Sequence, residues 1–438
     1  MLISNLLLSL GVVSSVFAAS WIVPGAIWYD TDGNKIDAHG GSIMKRGSIF
    51  YWVGQSNRNN VTAAMYSSTD LLNWEYLGLQ SSVAQMWRPK LAKPNGSFWI
   101  YGQVNKYVQA LKSTTMVGGY KAYGDPATLP PSDKTFSDEG IFLDVGGTGA
   151  WYLLTSASSN VVQINIIDSD GSIGERVNRL AAGEWEAPGL IQDAGIYYLI
   201  VSDKTGYRSN PNKMFYTTSL NGSWTGPFDI APPEVNTYDS QNTFELPIFG
   251  TKKTTWIYMG DQWTSTGDVD SNYVWLPITI DSEAKTVTLD YYDMWKIDVK
   301  TGVVSTPTVA KRYEAEDAII SGRAEIANCD HCISKRSVHN IRSDSVVTFH
   351  NVTGTGASQW VSFHYKVNDA KAGEAYIKIN NHYQIINLSD LNSGAGLHGK
   401  VPVELKLNKG DNNTITFGTT GSLDFEVVLD GIEIYEEA

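Results

Sequence analysis

Residues 186–198 read EAPGLIQDAGIYY, and this layout recurs along the chain. It consists of a lead residue that is usually polar, an aliphatic residue after a proline, a glycine-bearing turn and an aromatic cluster. With one residue of each aromatic cluster as a landmark, the successive steps are 48, 53, 46 and 59 residues, from Tyr51, Trp99, Tyr152, Tyr198 and Ile257. In four of the five segments the lead residue lies 12 positions before the landmark, and in the third segment it lies 14 before.

The five segments predict an all-β chain, since short aromatic strands and Gly/Asn turns alternate with almost no helical periodicity. A period near 50 residues is typical of a β-propeller with one four-stranded sheet per repeat. We therefore predict a five-bladed β-propeller. The first strand of each blade starts at the central channel, which would gather the five lead residues around one funnel: His39, Trp87, Asp138, Glu186 and Glu245.

The pattern changes after about residue 300. Residues 301–311 are predicted to be a linker. Two-residue alternation then predicts strands in an antiparallel β-sandwich (jelly-roll) domain, at 346–349, 360–365, 376–379, 401–407, 414–417 and 426–435. The predicted organisation is a signal peptide over 1–19, the propeller as catalytic domain over 20–300, the linker, and a sandwich over 312–438.

Composition restricts the class of ligand. The 438 residues carry a formal charge of −13, which argues against a nucleic-acid partner because phosphates require a basic face. An apolar content of 42% excludes a disordered chain. Aromatic residues reach 11%, an excess that weakly indicates surfaces for flat, neutral ligands such as sugar rings.

The first residues resemble a secretory signal, because 2–19 is apolar and ends in the small-residue site VFAA at 16–19. No later run approaches the roughly 18 apolar residues of a membrane span. We therefore expect a secreted protein with no membrane partner. Six N-x-S/T sequons agree with that expectation, at Asn60, Asn95, Asn221, Asn351, Asn387 and Asn412.

The two cysteines, Cys329 and Cys332, form the motif Cys-Asp-His-Cys. A zinc site would need two further ligands at suitable spacing, and a thioredoxin-type site would need a βαβ context. Neither is evident in the sequence. An oxidising compartment instead favours a small loop disulfide.

A funnel with carboxylates and aromatics suits glycoside hydrolysis, in which a carboxylic acid protonates the leaving oxygen and a second group handles water. Glu186 is the best candidate acid, because Trp185 and Pro188 flank it and apolar surroundings raise the pKa of a carboxyl group. Asp138 comes from the preceding repeat, and its negative charge would raise that pKa further.

Three motifs make the sequence resemble the family-43 glycoside hydrolases, which are five-bladed propellers that invert the anomeric centre. They are the segments 185–189 (WEAPG), 137–142 (SDEGIF) and 210–213 (NPNK). Within that family, three further segments are similar to the fungal exo-β-1,3-galactanases: 38–40 (AHG), 239–242 (DSQN) and 258–261 (YMGD). The resemblance covers nearly the whole chain after the predicted signal.

The resemblance implies roles for individual residues. Glu186 matches the general acid, and Asp138 matches the residue that tunes the acid and holds the sugar. Most of the family has a catalytic base Asp at the first-repeat position, where this chain has His39, and the galactanases share that absence. They place a glutamine, matched by Gln241, near the attacking water, which an amide orients by hydrogen bonds. The repeat register separately nominates Glu245 as a competing base, and His39 is favoured as a hydrogen-bonded channel residue.

Two positions depart from the galactanases. Their second repeat has a glutamate where this chain has Trp87, and another glutamate follows the first aromatic cluster where this chain has Gln55. Both matched positions contact sugar hydroxyls in those enzymes, so the substrate differs or activity is reduced. Tyr107 and Tyr207 match sugar-contacting aromatics, and simple packing is the alternative for both.

In the second domain, 313–316 (YEAE) and 429–431 (LDG) resemble family-35 or related family-6 carbohydrate-binding modules. The resemblance implies a structural Ca²⁺ held by Glu314, Glu316 and Asp430, since this hard ion prefers oxygen ligands. A plain surface acid cluster is the alternative. No cofactor is expected for catalysis, and we expect a monomer.

Three functions remain open from the sequence. The first is a secreted, inverting exo-glycosidase that releases galactose from β-1,3-galactan, the main chain of arabinogalactan. The second is a family-43-type glycosidase on another glycan, such as an arabinofuranoside, xyloside or galactofuranoside. The third is a carbohydrate-binding protein without catalysis, which the missing base and Trp87 favour.

Overall fold

The structure is a computed structural model. It describes residue 19 and the ranges 21–131, 135–157, 161–180, 183–330, 332–367, 373–388, 399–420 and 425–436. The predicted signal peptide thus lies outside the described residues apart from its last position. Cys329 and Cys332 form a disulfide, as predicted.

The fold is all-β, with 59% strand and 3% helix, which confirms the predicted class. Five antiparallel four-stranded sheets occur among the described residues, each built from strands consecutive in the chain. The first sheet comprises β1 (His39–Arg46), β2 (Ile49–Ser56), β3 (Thr62–Ser68) and β4 (Glu75–Leu79). The second comprises β5 (Met86–Ala92), β6 (Phe98–Val104), β7 (Tyr107–Ser113) and β8 (Lys121–Ala122).

The third sheet comprises β9 (Phe136–Leu143), β10 (Trp151–Ala157), β11 (Val161–Ile167) and β12 (Ile173–Leu180). The fourth comprises β13 (Trp185–Asp193), β14 (Ile196–Asp203), β15 (Lys213–Thr217) and β16 (Thr225–Asp229). The fifth comprises β17 (Gln241–Phe249), β18 (Thr254–Gln262), β19 (Asn272–Asp281) and β20 (Thr286–Leu289).

The first strands of these sheets face one another. Strand β1 contacts β5, β5 contacts β9, β9 contacts β13, β13 contacts β17, and β17 contacts β1. No individual sheet among the described residues closes on itself. The starts of the five first strands therefore lie near a common axis, as the repeat pattern predicted.

The aromatic clusters of the repeats lie in the cores between neighbouring sheets. Trp52, Trp99, Tyr198 and Tyr258 are each no more than 1% exposed. Trp52 makes ring contacts with Trp74 and Trp275 at centroid distances of 5.1 and 4.8 Å, and Trp275 belongs to the fifth sheet. These aromatics stabilise sheet packing by burying large apolar areas and do not contact ligand.

The remaining strands begin with the hairpin β21 (Lys296–Asp298) and β22 (Val303–Ser305). Two antiparallel sheets follow, and their inner faces enclose one hydrophobic core. One sheet contains β23 (Val309–Glu314), β25 (Glu325–Asn328), β26 (Arg336–Ile341), β28 (Ser358–Val367), β31 (Gly399–Lys406) and β33 (Val427–Tyr435). The other contains β24 (Ile319–Ser321), β27 (Val346–Gly354), β29 (Gly373–Ile379), β30 (His382–Leu388) and β32 (Gly410–Thr419).

The predicted linker over 301–311 is thus partly regular structure, because β22 and the start of β23 lie inside it. Helical structure in the described chain is limited to short turns: Asn57–Asn59, Pro233–Val235 and Ala315–Asp317 are 3₁₀ turns, and α1 is Asn236–Asp239. None of the described helices is long and apolar enough to cross a membrane.

Candidate active site

A β-bulge interrupts each of the five first strands near its start. The pairing register shifts after His39 in β1, after Trp87 in β5, after Phe136 in β9, after Glu186 in β13 and after Asn242 in β17. In β1, β5 and β13 the next residue has a left-handed φ of 46–59°, at Gly40, Arg88 and Ala187. An extra residue of this kind bends the strand and redirects its side chains. The bulges therefore turn the strand starts towards the shared axis.

Gln241 lies at the centre of the polar groups assembled there. Its Nε2 donates to Oε1 of Glu186 at 2.9 Å and to Oγ of Ser202 at 3.1 Å. Its Oε1 accepts from Nη2 of Arg88 at 2.5 Å and from Nε1 of Trp263 at 2.9 Å. A glutamine amide has two donor hydrogens and two acceptor lone pairs, and all four are used here.

Arg88 extends this network to the second predicted carboxylate. Its Nε lies 3.0 Å from Oδ1 of Asp138, and its Nη1 donates to the carbonyl of Asn242 at 3.1 Å. Arg88 is 4% exposed, whereas the Asp138 side chain is 18% exposed. Glu186, Gln241, Arg88 and Asp138 thus form one hydrogen-bonded chain with its two carboxyl groups at the ends.

Burial and the nearby charge of Asp138 together raise the pKa of Glu186 to about 8. The charges of Arg88 and Lys204 and the hydrogen bond from Gln241 oppose this shift without cancelling it. Glu186 is therefore largely protonated at neutral pH. Because Gln241 donates to Oε1, the proton belongs on Oε2, where it can be given to a leaving oxygen.

The segment before Gln241 fixes its position. Residues Asn236–Asp239 all have φ between 46 and 58°, so α1 is a left-handed turn without glycine. Such a conformation costs roughly 1–2 kcal/mol per residue. Side-chain hydrogen bonds hold the turn, including Thr237 Oγ1 to the Asn210 carbonyl at 3.2 Å and Tyr238 Oη to the Leu289 carbonyl at 2.9 Å.

All four hydrogen-bonding positions of the Gln241 amide are occupied, and this affects its predicted role of orienting the attacking water. To orient an attacking water, the amide would have to release one of its four partners. As arranged, it orients the carboxyl group of Glu186 instead. The predicted contact with water stays a prediction.

His39 is a buried channel residue, which was the favoured interpretation of this position. It is 0% exposed, its Nδ1 lies 3.0 Å from Oδ1 of Asp261, and its ring stacks on Tyr273 at 4.7 Å. Its Nε2 lies 3.9 Å from Oδ1 of Asp37. The imidazole is held between two carboxylates and has no open side towards a substrate.

Gln55 does not lie where the sequence comparison predicted a sugar contact. It is 1% exposed, and its Oε1 accepts from the main-chain N–H of Arg88 at 2.9 Å. Its Nε2 donates to Oδ1 of Asn57 at 3.0 Å. The prediction is corrected accordingly: Gln55 supports the bulge that carries Arg88, and its burial keeps it from a sugar.

The aromatic candidates are more accessible. Tyr107 is 41% exposed at the start of β7, and Tyr207 is 37% exposed with its ring 5.6 Å from that of Trp263. Trp87 is half-buried next to Arg88. Burial and the charge of Asp138 both raise the pKa of Tyr207, which places its hydroxyl near the polar chain. Tyr207 therefore lies beside the polar chain, and the sugar contacts predicted for Trp87, Tyr107 and Tyr207 stay predictions.

The fixed spacing of the repeat predicted Glu245 at the start of β17, but Glu245 lies further along the strand. It is the fifth residue of β17, is 3% exposed, and lies against Gly189, where an added Cβ would be 1.9 Å from its Oε2. The β17–β18 hairpin has longer strands and a longer turn than the β1–β2 hairpin, so counting 12 residues back from Ile257 stops four residues short of the strand start. Gln241 occupies that start, and the burial of Glu245 does not favour its predicted roles as base or substrate contact.

Two buried ionisable residues near the site were not predicted. Lys90 is 0% exposed, and its Nζ donates to the carbonyls of Gly40, Gly41 and Thr243 at 2.7–2.9 Å. Burial lowers its pKa to about 7. Glu139, also 0% exposed, has a pKa raised by burial and by Asp138. Lys90 follows the lead residue Trp87 by three positions, and Glu139 follows the lead residue Asp138 by one. Because both are so close to lead residues, the repeat could have indicated them.

The predicted calcium ligands are assembled around an arginine. Arg312 lies 2.8 Å from Oε1 of Glu314 and 2.7 Å from Oδ2 of Asp430. Each predicted ligand also has one buried oxygen without a hydrogen-bond partner: Oε2 of Glu314, Oε2 of Glu316 and Oδ1 of Asp430. These oxygens have the chemistry that Ca²⁺ requires. The three residues do not, however, offer one oxygen each within the 4.8 Å span of a single ion.

Within the described ranges, that close spacing is met by Asp293, His364 and Glu433. His364 Nε2 lies 3.2 Å from Oε2 of Glu433, and Lys400 Nζ lies 2.8 Å from Oδ2 of Asp293. Arg312 Nη1 lies 3.1 Å from His364 Nδ1. Two cationic side chains already neutralise this cluster, so it serves as a polar contact between Asp293 and the C-terminal sheets.

Two solved structures with similarity to this chain are exo-β-1,3-galactanases. The chain is similar to an exo-β-1,3-galactanase from Phanerochaete chrysosporium, crystallised with galactose, at 29% identity and a TM-score of 0.84. That similarity covers 95% of this chain and 100% of the other. An exo-β-1,3-galactanase from Clostridium thermocellum shares the fold at 23% identity and a TM-score of 0.61, over 94% and 99% of the two chains.

No curated protein matches the chain. The sequence profile of the glycosyl hydrolases family 43 matches residues 35–264, which is more than half of the chain and includes all five first strands. Glu186, Asp138 and Gln241 all lie within that range. The chain therefore belongs to glycoside hydrolase family 43.

Proposed function

We propose that the protein is an exo-acting glycosidase that releases galactose from β-1,3-galactan with inversion. The support comes from the 29% identical exo-β-1,3-galactanase, which aligns over both the family-43 region and the C-terminal sheets. Forms of that enzyme with one glutamate replaced were crystallised with β-1,3-galactotriose. The same substrate class is proposed for this chain.

The proposed reaction begins with Glu186. Its Oε2 proton passes to the glycosidic oxygen as the bond from that oxygen to the anomeric carbon breaks and its electron pair goes to the oxygen. A water molecule bonds to the opposite face of the anomeric carbon and loses its proton to surrounding water. Asp138 would hold the sugar hydroxyls and, as an anion, keep Glu186 protonated.

One observation carries the proposal. A carboxyl group with a pKa of about 8 is oriented by the amide of Gln241, which also accepts a hydrogen bond from the indole of Trp263. That amide is fixed in turn by an arginine paired with the second carboxylate. A group that is protonated at neutral pH and held in one direction is what general-acid catalysis requires.

The test is incubation of the purified protein with β-1,3-galactan, with products followed by NMR. We expect galactose as the first product, initially as the α-anomer, and release about 10³-fold slower by Glu186→Gln. Random shortening of the polymer, or initial β-galactose, would contradict the exo or the inverting part of the proposal.

Hydrolysis of another glycan is the second candidate, because Trp87 replaces a glutamate of the galactanases at the pocket. A ring stacks on a sugar face and does not accept hydroxyl hydrogen bonds as a carboxylate does. A panel of aryl galactosides, arabinofuranosides and xylosides distinguishes the two enzyme functions. Sugar binding without turnover on any of them would favour the carbohydrate-binding protein.

The finer architecture is part of the same proposal. We propose that the five sheets over 20–300 form a five-bladed propeller, since each first strand contacts the next and β17 contacts β1. We further propose that 312–438 is a β-sandwich carbohydrate-binding module and that the mature protein is secreted after removal of 1–19. Mass spectrometry of the protein from the culture medium would establish the mature N-terminus and glycosylation.

A structural Ca²⁺ in the C-terminal sheets remains a proposal, supported by the three buried oxygens without partners. Glu314, Glu316 and Asp430 would hold the ion through their carboxylate oxygens, and the ion would supply positive charge between them. Thermal unfolding with calcium and with a chelator tests it. We expect calcium to raise Tm by a few degrees in the unmodified protein and not in Glu316→Gln. An equal Tm under both conditions would contradict the site.

A further inference from the structure

A cavity of about 670 Å³ lies between the N-terminal segment and the C-terminal sheets. One wall consists of residues 21–31 and 71–74, and the other includes Trp360, 384–386 and 401–404. Its volume is within the range of small-molecule and cofactor pockets. None of the candidate active-site residues lines it, so it is a separate cleft.

Aromatic rings are available on both walls of this cleft. Tyr29 is 54% exposed on the N-terminal wall, and Trp21 beside it is half-buried. Trp360 lies half-buried on the opposite wall. Flat, partly accessible rings with polar groups nearby bind the faces of sugar rings. A ligand between the walls would contact aromatics on two sides.

The polar lining selects for a neutral ligand. It includes the amides of Asn73, Asn272 and Gln384 and the carboxyl group of Glu404. Asp30 also lines the cleft, but it is 2% exposed and its Oδ1 accepts from the main-chain N–H groups of Asp32 and Asn34. Lysine and arginine are absent from the described lining residues. Amides and carboxylates donate to and accept from hydroxyl groups, whereas an anionic ligand would meet only negative charge.

One end of the cleft reaches the back of the candidate active site. An added Cβ at Gly25 would lie 3.3 Å from Oε1 of Gln262, and Asn272 Nδ2 donates to the Gly25 carbonyl at 3.3 Å. Gln262 directly follows Asp261, the partner of His39. A chain-like ligand in the cleft would therefore extend alongside the fifth sheet.

We propose that this cleft is a second binding site for a neutral oligosaccharide, separate from the catalytic pocket. It would hold a distant part of the polymer while the chain end occupies the pocket. The choice of β-1,3-galactan as the polymer rests on the proposed function, but the chemistry of the cleft requires only an uncharged glycan.

The experiment compares variants of one exposed residue from each wall, Tyr29→Ala and Gln384→Ala, in the full-length secreted protein. The matched control is Tyr383→Ala, because Tyr383 is 67% exposed, neighbours Gln384 and is not among the described residues that line the cleft. We expect each cleft variant to raise KM for the polymer by about five-fold. KM for a short aryl glycoside should stay unchanged in all three.

Binding is measured separately from turnover. In the Glu186→Gln background, calorimetric titration with β-1,3-galactotriose should show a second site that Tyr29→Ala and Gln384→Ala weaken and Tyr383→Ala does not. Unchanged titrations and unchanged polymer KM in variants with the Tm of the unmodified protein would overturn the proposal. That outcome is also expected if a second copy of the protein fills the cleft, and sedimentation identifies the second copy.

Failure of the proposed function gives a different result. If the protein does not hydrolyse β-1,3-galactan, the same variants are compared on the glycan of the panel that it does hydrolyse. An oligosaccharide of that glycan is then the titration probe. If the protein hydrolyses none, titration with each neutral oligosaccharide still measures the cleft. Absence of a site sensitive to Tyr29→Ala in every titration would then overturn the inference.

Discussion

Two clusters in this protein are built from the same residue types and behave oppositely. In the active-site cluster, Arg88 pairs with Asp138 and the pKa of Glu186 is raised to about 8. In the C-terminal cluster, Arg312 pairs with three carboxylates, and the pKa of Glu433 is lowered to about 2. One cluster keeps a carboxyl group protonated and the other keeps one ionised.

The difference arises from what each carboxyl group contacts. Burial and Asp138 dominate at Glu186, whose hydrogen-bond donor is the neutral amide of Gln241. At Glu433, a hydrogen bond from His364 and the positive charges of His364, Lys400 and Arg312 lower the pKa. Together they outweigh burial, which raises it. A carboxyl group kept neutral can deliver a proton, whereas one kept ionised by neighbouring cations has no proton to deliver. The comparison assigns chemistry to the first cluster and stability to the second.

The largest expected effect is that of Glu186→Gln, which removes the proton donor and keeps the shape. We expect kcat for galactan to fall by about 10³-fold, within the usual range for a general acid. Aryl galactosides with an acidic phenol as leaving group should lose much less, because that leaving group needs little protonation. An equal loss on both substrates would show that Glu186 does not act as the acid.

Arg88→Lys should have the next largest effect, because lysine keeps the charge but loses the planar fork that joins Gln241 to Asp138. We expect a reduction in kcat/KM of about 10²-fold. Far-ultraviolet circular dichroism and Tm serve as controls for folding. Activity close to that of the unmodified protein would contradict the role of Arg88 in orienting Gln241.

Glu433→Gln should change stability and not activity. The folded pKa of Glu433 is below the unfolded value, so its contribution is present above about pH 4.5 and is lost as pH falls through about 2. We expect the free energy of unfolding at pH 7 to drop by about 1–3 kcal/mol. The difference from the unmodified protein should shrink in urea titrations below pH 4.5. A constant difference across pH would contradict the ion pairing.

The smallest predicted effect concerns the rim of the pocket. Tyr107→Ala removes a ring that is 41% exposed and has no role in the polar chain. We expect KM to rise by about three-fold with kcat unchanged, since only a stacking contact is lost. Tyr123→Ala, which removes a ring that is 48% exposed, is the matched control. An effect on kcat would place Tyr107 closer to the reaction than its position indicates.

The repeat period predicted much of this arrangement, because each strand start precedes its aromatic cluster at a nearly constant distance. It placed Glu186 and Asp138 in one pocket from sequence positions 48 residues apart. It failed in the fifth repeat, where the longer hairpin shifted the assignment from Gln241 to the buried Glu245. Hairpin length depends on turn geometry, which a fixed spacing does not contain.

Arg88 illustrates what the sequence did not reveal. It was adjacent to the lead residue Trp87, but regular strand alternation would direct neighbouring side chains to opposite faces. The bulge and the left-handed φ at Arg88 change that direction. Likewise, Asp293, His364 and Glu433 come from distant segments, and only the packing of the C-terminal sheets brings them together.

The central claim is that Asp138 helps keep Glu186 protonated, and the pH dependence of kcat/KM tests it most directly. General-acid activity requires the protonated form, so it is lost as pH rises through the pKa of Glu186, about 8 in the free enzyme. Asp138→Asn removes a charge that raises this pKa, so the alkaline limb should move to lower pH. The same alkaline limb in both proteins would contradict the account.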